Sequence, residues 1–314
     1  MDRFPRKWRD LRRASALVFL LKPGKTQTLA TPITAALSLH GDIMNTDAPY
    51  KTFRSFTLAD GSITSVRTDL TVEVPLEIII NGQSHMLIMF TPEMIRQLVV
   101  GFLFTEGLIS QVAEIETLTI SRNRKRGGES MIEANLKIPH LGAASTQNVR
   151  KRVSYSSCGI CGTENYYGMK QGLGRVKSRQ RFSMAVLREV SGHLKTFQPL
   201  YRKTGGSHAA FLFDAEGNAV QHCEDMGRHN AVDKVVGSVL LNQIPARDKV
   251  LISSGRASLE MILKTARAGF PLFVAMSRPT SRAVEAAKFY NITLVDLAKD
   301  TNRIHSHVRR IKGF

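Results

Sequence analysis

This sequence has little cysteine, little tryptophan and a shortage of acid. Three cysteines in 314 residues exclude a secreted scaffold held by dense disulfides. No run of about 18 apolar residues occurs, so no membrane-spanning helix is expected. One tryptophan and six tyrosines supply few rings for base stacking, and the basic residues are scattered. A nucleic-acid-binding protein therefore has little support, and no nucleic acid partner is expected. Acidic residues number 26 against 44 Lys and Arg, for a net charge of +18. An excess of that size implies an acidic partner, either a protein or a phosphorylated small molecule once nucleic acid is set aside. Internal repeats and low-complexity segments are also lacking. What remains is ordinary globular composition, 43% hydrophobic and 22% charged, in a chain long enough for two domains. The expected compartment is the reducing cytoplasm, where a C-x-x-C is a metal site or a working thiol pair.

Residues 1–43 carry eight Lys or Arg against three Asp, so the rest of the chain retains a large positive charge. Arg12-Arg13 before "ASALVFLL" loosely resembles a twin-arginine export signal, but the apolar run is short and Lys22 and Lys25 follow closely. The segment is expected to be a disordered extension, with Met44 opening a more conventional sequence. Residues 44–148 then predict a small α+β domain. "TVEVPLEIII" and "QSHMLIMF" flank Asn81-Gly82, a strong hairpin signal. "TPEMIRQLVVGFLFTEGLI" predicts a helix with Thr91 as N-cap, Pro92 in the first turn and Gly107 at its end. Two strands, near 115–121 and 131–138, flank the basic loop "SRNRKRGGES". From about 149 to 314, apolar strands alternate with helices at 183–197, 228–242, 257–268 and 281–290, which predicts an α/β layer with a largely parallel sheet.

The chemistry centres on "SSCGICG", with Cys158 and Cys161 each followed by a glycine. Three physical readings apply. Buried cysteines can pack as small hydrophobes, although no apolar periodicity surrounds these. Two thiolates at this spacing suit zinc, with His222 and Cys223 of "QHCED" as further ligands. His222-Cys223-Glu224 also matches half of the zinc-deaminase signature, in the wrong order along the chain. A nucleophilic pair is the third reading: Arg150, Lys151, Arg152 and Lys170 would favour thiolate, serving either redox exchange or sulfur transfer.

"SSCGICG" resembles the C-G-x-C-G signature of the FdhD family of sulfur carriers, the formate dehydrogenase accessory proteins. "VEVPLEIIINGQSHMLIMFTPEMIRQLVVGFLFTEGLI", "TGGSHAAFLF", "CEDMGRHNAVDKVVG" and "LISSGRASLEMILKTARAGFPLFVAMSRPTSRAVEAA" resemble the family's other conserved blocks, in its order. The resemblance implies an α/β fold, with a cytidine-deaminase-like three-layer carboxy-terminal domain and a smaller α+β roll-like amino-terminal domain. It implies a sulfurtransferase that takes sulfane sulfur from a cysteine desulfurase and passes it to the Mo-bis(molybdopterin guanine dinucleotide) cofactor used by formate dehydrogenase. It also implies a homodimer with no permanent metal of its own. Cys158 would bear the persulfide and Cys161 would be the second thiol. The family's F-x-R-x-x-R cofactor segment falls on Leu297, Ala298, Lys299, Asp300, Thr301 and Asn302. Here Leu297 replaces the aromatic residue, Lys299 the first arginine and Asn302 the second, with Arg303 one position on. Lysine meets phosphate as a point charge without the planar fork of arginine. Further candidates for the cofactor's anions are Arg256, Arg303, Arg309, Arg310 and Lys312. The enzyme alternative is a zinc-dependent deaminase-like hydrolase.

Overall fold

The computed structural model describes residues 48–124, 130–142, 152–153, 172–298 and 302–314. Cys158, Cys161, Lys299, Asp300, Thr301, the tip of the basic loop and the amino-terminal extension lie outside the described residues.

Two hairpins come first. Strands β1 (Tyr50–Ala59) and β2 (Ser62–Thr71) pair antiparallel around Asp60-Gly61, whose φ angles are 50° and 73°. Strands β3 (Val74–Ile80) and β4 (Gln83–Phe90) repeat the device at Asn81-Gly82, with φ of 50° and 79°. Positive φ at both central residues is what an Asp-Gly or Asn-Gly turn supplies at little cost. The first ribbon is mostly exposed, whereas β3 buries Val74, Leu76, Ile78 and Ile80 in strict alternation. Helix α1 (Ile95–Thr105) packs on that core through Leu98, Val99, Phe102 and Leu103. It starts later than the sequence predicts. Met94 takes a left-handed φ of 55° at the N-cap, and Thr91 does not cap, because its hydroxyl accepts from the distant Met226 N–H at 3.0 Å. Strands β5 (Thr117–Arg124), β6 (Ser130–Lys137) and β7 (Arg152–Val153) complete a sheet of order β5-β6-β3-β4-β7.

After α2 (Met184–Gly192) and α3 (Pro199–Thr204) comes a second layer: β8 (His208–Phe213), β9 (Ala219–Asp225), α4 (Arg228–Leu241), β10 (Val250–Arg256), α5 (Leu259–Ala268), β11 (Leu272–Ser277), α6 (Ser281–Phe289), β12 (Thr293–Asp296) and β13 (Arg303–Ile304). The sheet order is β13-β12-β11-β10-β8-β9. Only β10-β11 and β11-β12 pair parallel; β9-β8, β8-β10 and β12-β13 are antiparallel. The sheet is thus mixed, not largely parallel. Helical crossovers α5 and α6 impose the parallel pairs, and the tight turn at 214–218 forces a hairpin. The face bearing Leu212, Leu251, Phe273 and Leu294 shares one core with α4, α5 and α6.

The two sheets meet through α1 and α4. A Cβ added at Gly101 would lie 1.8 Å from the Asp233 carbonyl oxygen, and one at Gly237 would lie 1.9 Å from that of Gln97. Each helix therefore seats its glycine against the other's backbone, an approach no side chain would permit.

Candidate functional site at the carboxyl end of the six-stranded sheet

Open α/β sheets place ligands beyond the carboxyl ends of their parallel strands. At that end of this sheet lie Arg256 of β10, Ser277 at the end of β11 with Arg278 after it, and Leu297-Ala298 after β12. The antiparallel strands add the start of β8 and the end of β9, since His208 pairs with Asp225. Five segments distant in sequence thus contribute to one rim.

Its best-defined part is built on Asp225, Arg228, His208, Ser254 and Gly255. Asp225 is fully buried. Its Oδ1 accepts from Gly227 N and Asn230 Nδ2, each at 2.9 Å, and its Oδ2 accepts from Thr91 N and pairs with Lys234 Nζ at 2.7 Å. These bonds fix the turn that launches α4, so Arg228 occupies the first helical position in one orientation. Asp225 pairs with Lys234 and not with Arg228. Ser254 Oγ accepts from Ala209 N at 2.9 Å and stands 3.3 Å from His208 Nδ1. Between them, a Cβ on Gly255 would meet the Arg228 Cδ at 3.1 Å and the His208 ring at 3.7 Å. Glycine is what lets the arginine stem lie across this strand. Arg228 Nε is buried and has no hydrogen-bond partner among the described residues. Burial holds the His208 imidazole below its ordinary pKa, and the Arg228 charge adds to that effect. A neutral imidazole beside an under-bonded guanidinium makes a place for an anion rather than for a cation.

The other predicted residues divide. Leu297 and Ala298 are both buried and tied through their N–H groups, Leu297 N donating to the Ala275 carbonyl at 3.0 Å and Ala298 N to the Asp296 carboxylate at 2.7 Å. Leu297 therefore offers no exposed platform in place of the family's aromatic ring. Asn302, at a left-handed φ of 43°, accepts from Arg188 Nε at 3.2 Å. It brings to this edge an exposed arginine that the sequence reading did not single out. Arg303 pairs with Asp296 and also belongs to this end. Arg310 does not. It is 8% exposed, and its Nη1 donates to Thr293 Oγ1 at the opposite, amino end of β12. That removes it from the anion candidates. Gly205, with φ of 67°, closes α3 and has the role of a turn.

The described partners of the zinc reading do not converge. His222 faces Phe211 across the ladder and Cys223 faces Ala210, so they point to opposite sides of the sheet. Burial pushes the Cys223 thiol up to about 12, which keeps it protonated. Glu224 is occupied by the backbone N–H groups of Leu200 and Tyr201 and by Ser207 Oγ. Among the described residues no three of His, Cys, Asp or Glu are placed to share a metal ion, and no helix is long and apolar enough to cross a membrane.

Comparison with known proteins places the chain in a family. A chain named Sulfur carrier protein FdhD from Thermoplasma acidophilum is 39% identical over 248 residues, covering 77% of this chain and 86% of that one. Another of that name from Mycolicibacterium paratuberculosis is 37% identical over 256 residues, covering 77% and 91%. The crystal structure of a candidate formate dehydrogenase accessory protein from Desulfotalea psychrophila superposes with a TM-score of 0.65 at 21% identity, over 84% of this chain and all of that one; it shows a shared fold. A sequence profile described as the FdhD/NarQ family matches residues 71–312, and the chain belongs to that family.

Proposed function

We propose that this protein carries sulfur as a persulfide on Cys158, from a cysteine desulfurase to the molybdenum of a bis-guanine-dinucleotide cofactor destined for formate dehydrogenase. The observation that carries the reading is the retained C-G-x-C-G pair in a chain whose relatives are named sulfur carriers, while its third cysteine is buried as a thiol. In the loading step the Cys158 thiolate attacks the outer sulfur of the donor persulfide, and the donor thiolate leaves. In the delivery step the Cys161 thiolate attacks the Sγ of Cys158, and hydrosulfide departs to the metal. The pair closes to a disulfide and so supplies the two electrons that reduce the sulfane sulfur. A dithiol reductant resets it.

The cofactor is the acceptor substrate, and it carries two pyrophosphates. The anion place at Arg228, with Arg256, Arg303 and the edge arginine Arg188, supports binding of such a ligand along the carboxyl rim. Strands β8 and β12 stand three positions apart, ~14 Å at ~4.8 Å per strand, so a ligand contacting both ends would have to be extended. The same reading includes a cytoplasmic homodimer, a cytidine-deaminase-like second layer and a division into domains near residue 148.

The test is an intact mass after incubation with a cysteine desulfurase and cysteine, followed by reductant. The reading expects a reducible gain of one sulfur atom that is absent in Cys158→Ala. No gain under conditions that load another carrier would sink it.

A further inference from the structure

Residues 175–182 form neither helix nor ladder strand, yet they run as an extended strap with a strict two-residue alternation. Val176 and Phe182 are buried and Ser178 and Gln180 half-buried, while Arg175, Lys177, Arg179 and Arg181 are exposed. The even-numbered residues hold the strap to the body. Val176 N donates to Tyr290 O at 2.9 Å, and Val176 O accepts from Asn291 Nδ2 at 2.8 Å. Ser178 Oγ donates to Arg247 O at 2.7 Å, and Phe182 N to Arg310 O at 2.7 Å. Of the odd-numbered residues only Arg181 bonds the body, its guanidinium donating to Ile311 O at 3.2 Å and to Phe314 O at 2.5 Å. Among the described residues the backbone groups of Arg175, Lys177 and Arg179 have no hydrogen-bond partner, and their side chains have no ion pair.

These three residues and Arg247 line an open cavity of about 600 Å³. The one carboxylate in its lining, Asp248, is already paired with Lys249 at 2.6 Å. Alternate side chains of an extended chain repeat every ~6.6 Å, so the strap presents a row of cations at the spacing of alternate side chains in another extended peptide. No aromatic ring lines the cavity, which leaves single-stranded nucleic acid without a stacking platform.

We propose that the strap Arg175–Arg181, with Arg247, is a docking edge for an extended acidic segment of a partner protein. The segment adds to the strap as a strand and sets its alternate carboxylates against Arg175, Lys177 and Arg179. This needs no sulfur chemistry, so it stands or falls apart from the reading of Cys158.

The experiment is fluorescence anisotropy on the full chain with a fluorescein-labelled peptide of alternating glutamate and valine. Lys177→Glu/Arg179→Glu should weaken binding by about tenfold or more, with an unchanged melting temperature because both residues are exposed. Equal binding by the double variant overturns the proposal. A peptide N-methylated at alternate residues keeps its charge and loses backbone donors. It should bind at least about fivefold more weakly, and equal binding by it overturns the strand-addition geometry. A labelled oligodeoxythymidylate is the third probe. If it binds more tightly than the acidic peptide and loses that affinity in the double variant, the edge serves nucleic acid and the proposal fails.

Discussion

Two buried lysines close the crossing of α1 and α4 at opposite ends, and they are built differently. Lys234, wholly buried, meets one carboxylate and two carbonyls: Asp225 Oδ2 at 2.7 Å, Thr91 O at 3.1 Å and Glu224 O at 3.2 Å. Lys264, 1% exposed, donates to both oxygens of Asp233 and to Glu106 Oε1, all at 3.0 Å, and to Thr105 Oγ1 at 2.9 Å. Glu260 adds a further carboxyl nearby. At the first site a single carboxylate meets the ammonium, and nearby burial raises the pKa of Glu93, with the charges of Glu224 and Asp225 adding to that effect. The second has more carboxyl groups than cations, and protons make up the difference. Burial pushes Asp233 up to about 6 and Glu260 up to about 8. Burial alone would depress the Lys264 ammonium, but Asp233, Glu106 and Glu260 outweigh it and raise it. The Lys234 end adjoins the anion place directly through Asp225, whereas the Lys264 end reaches it only through the charge of Arg228 on Glu260. One lysine therefore bears directly on both fold and site, and the other chiefly on the fold.

The harshest way to break the comparison is to remove the crossing on which both ends depend. Gly101→Ala places a methyl 1.8 Å from the Asp233 carbonyl oxygen. The helices must separate, and both lysine sites open together. The expected loss is about 3 kcal/mol or more, read as a collapse of the denaturant midpoint or as insoluble protein. Next in size, Lys264→Met strands buried carboxyl groups and should cost ~3–5 kcal/mol. Pairing it with Asp233→Asn should recover part of that loss. If the double variant is as unstable as the two single losses combined, the groups are not coupled. Lys234→Met should cost a similar amount, but it should also weaken guanosine diphosphate binding, since Asp225 then loses the partner that fixes the α4 turn. Lys264→Met should leave that affinity unchanged at a temperature where both variants are folded. Equal effects on nucleotide would erase the distinction between the two ends.

How far the sequence reaches is clear from the same residues. Periodicity and turn chemistry locate β3, β4, α4, α5 and α6, because those elements are amphipathic or apolar and end at glycine, asparagine or a polar cap. The β1-β2 ribbon is harder to read. Its Asp60-Gly61 turn is a visible signal, but the flanking strands are rich in Thr, Ser and Arg and lack an apolar alternation, since neither face packs on a sheet. The late start of α1 is invisible locally, because Thr91 is recruited by Met226, 135 residues away. At the candidate site, Gly255-Arg256 reads as the carboxyl end of a strand, where ligands bind, but His208, Asp225 and Arg228 each read as structural or helix-start residues when taken singly. Their meeting is a product of strand order, which local pattern does not encode. Arg310 fails for the same reason: a basic tail looks solvated until the chain tucks it against Thr293.

The carboxyl excess at the Lys264 end should show itself in pH dependence. For Glu260 the folded pKa, about 8, lies above the ordinary 4.5. Between those values the folded chain holds a proton that the unfolded chain has released, so stability falls as pH rises through that window. Asp233 adds the same sign between 3.8 and about 6. Glu260→Gln keeps a neutral side chain of the same shape at every pH. It should flatten the fall between pH 6 and 8 while changing stability little at pH 4.5. His229 Nε2, 3.3 Å from Glu260 Oε2, then faces an amide in place of a carboxyl group. If urea midpoints of wild type and Glu260→Gln stay parallel from pH 5 to 8, the excess proton is not on Glu260.

The mildest test acts at the other end. Arg228→Met keeps most of the stem that lies over Gly255 and removes the guanidinium. Its Nε has no partner among the described residues, so stability should change by only ~0.5 kcal/mol or less. Guanosine diphosphate binding should weaken by about tenfold, as expected for losing one charge-assisted anion contact. The loss should shrink as salt is added, because Arg228 is only half-buried. Unchanged affinity would move the anion from Arg228 to the exposed arginines farther along the rim. A large loss of stability with unchanged affinity would make Arg228 a structural residue, and the Lys234 end would then resemble the Lys264 end after all.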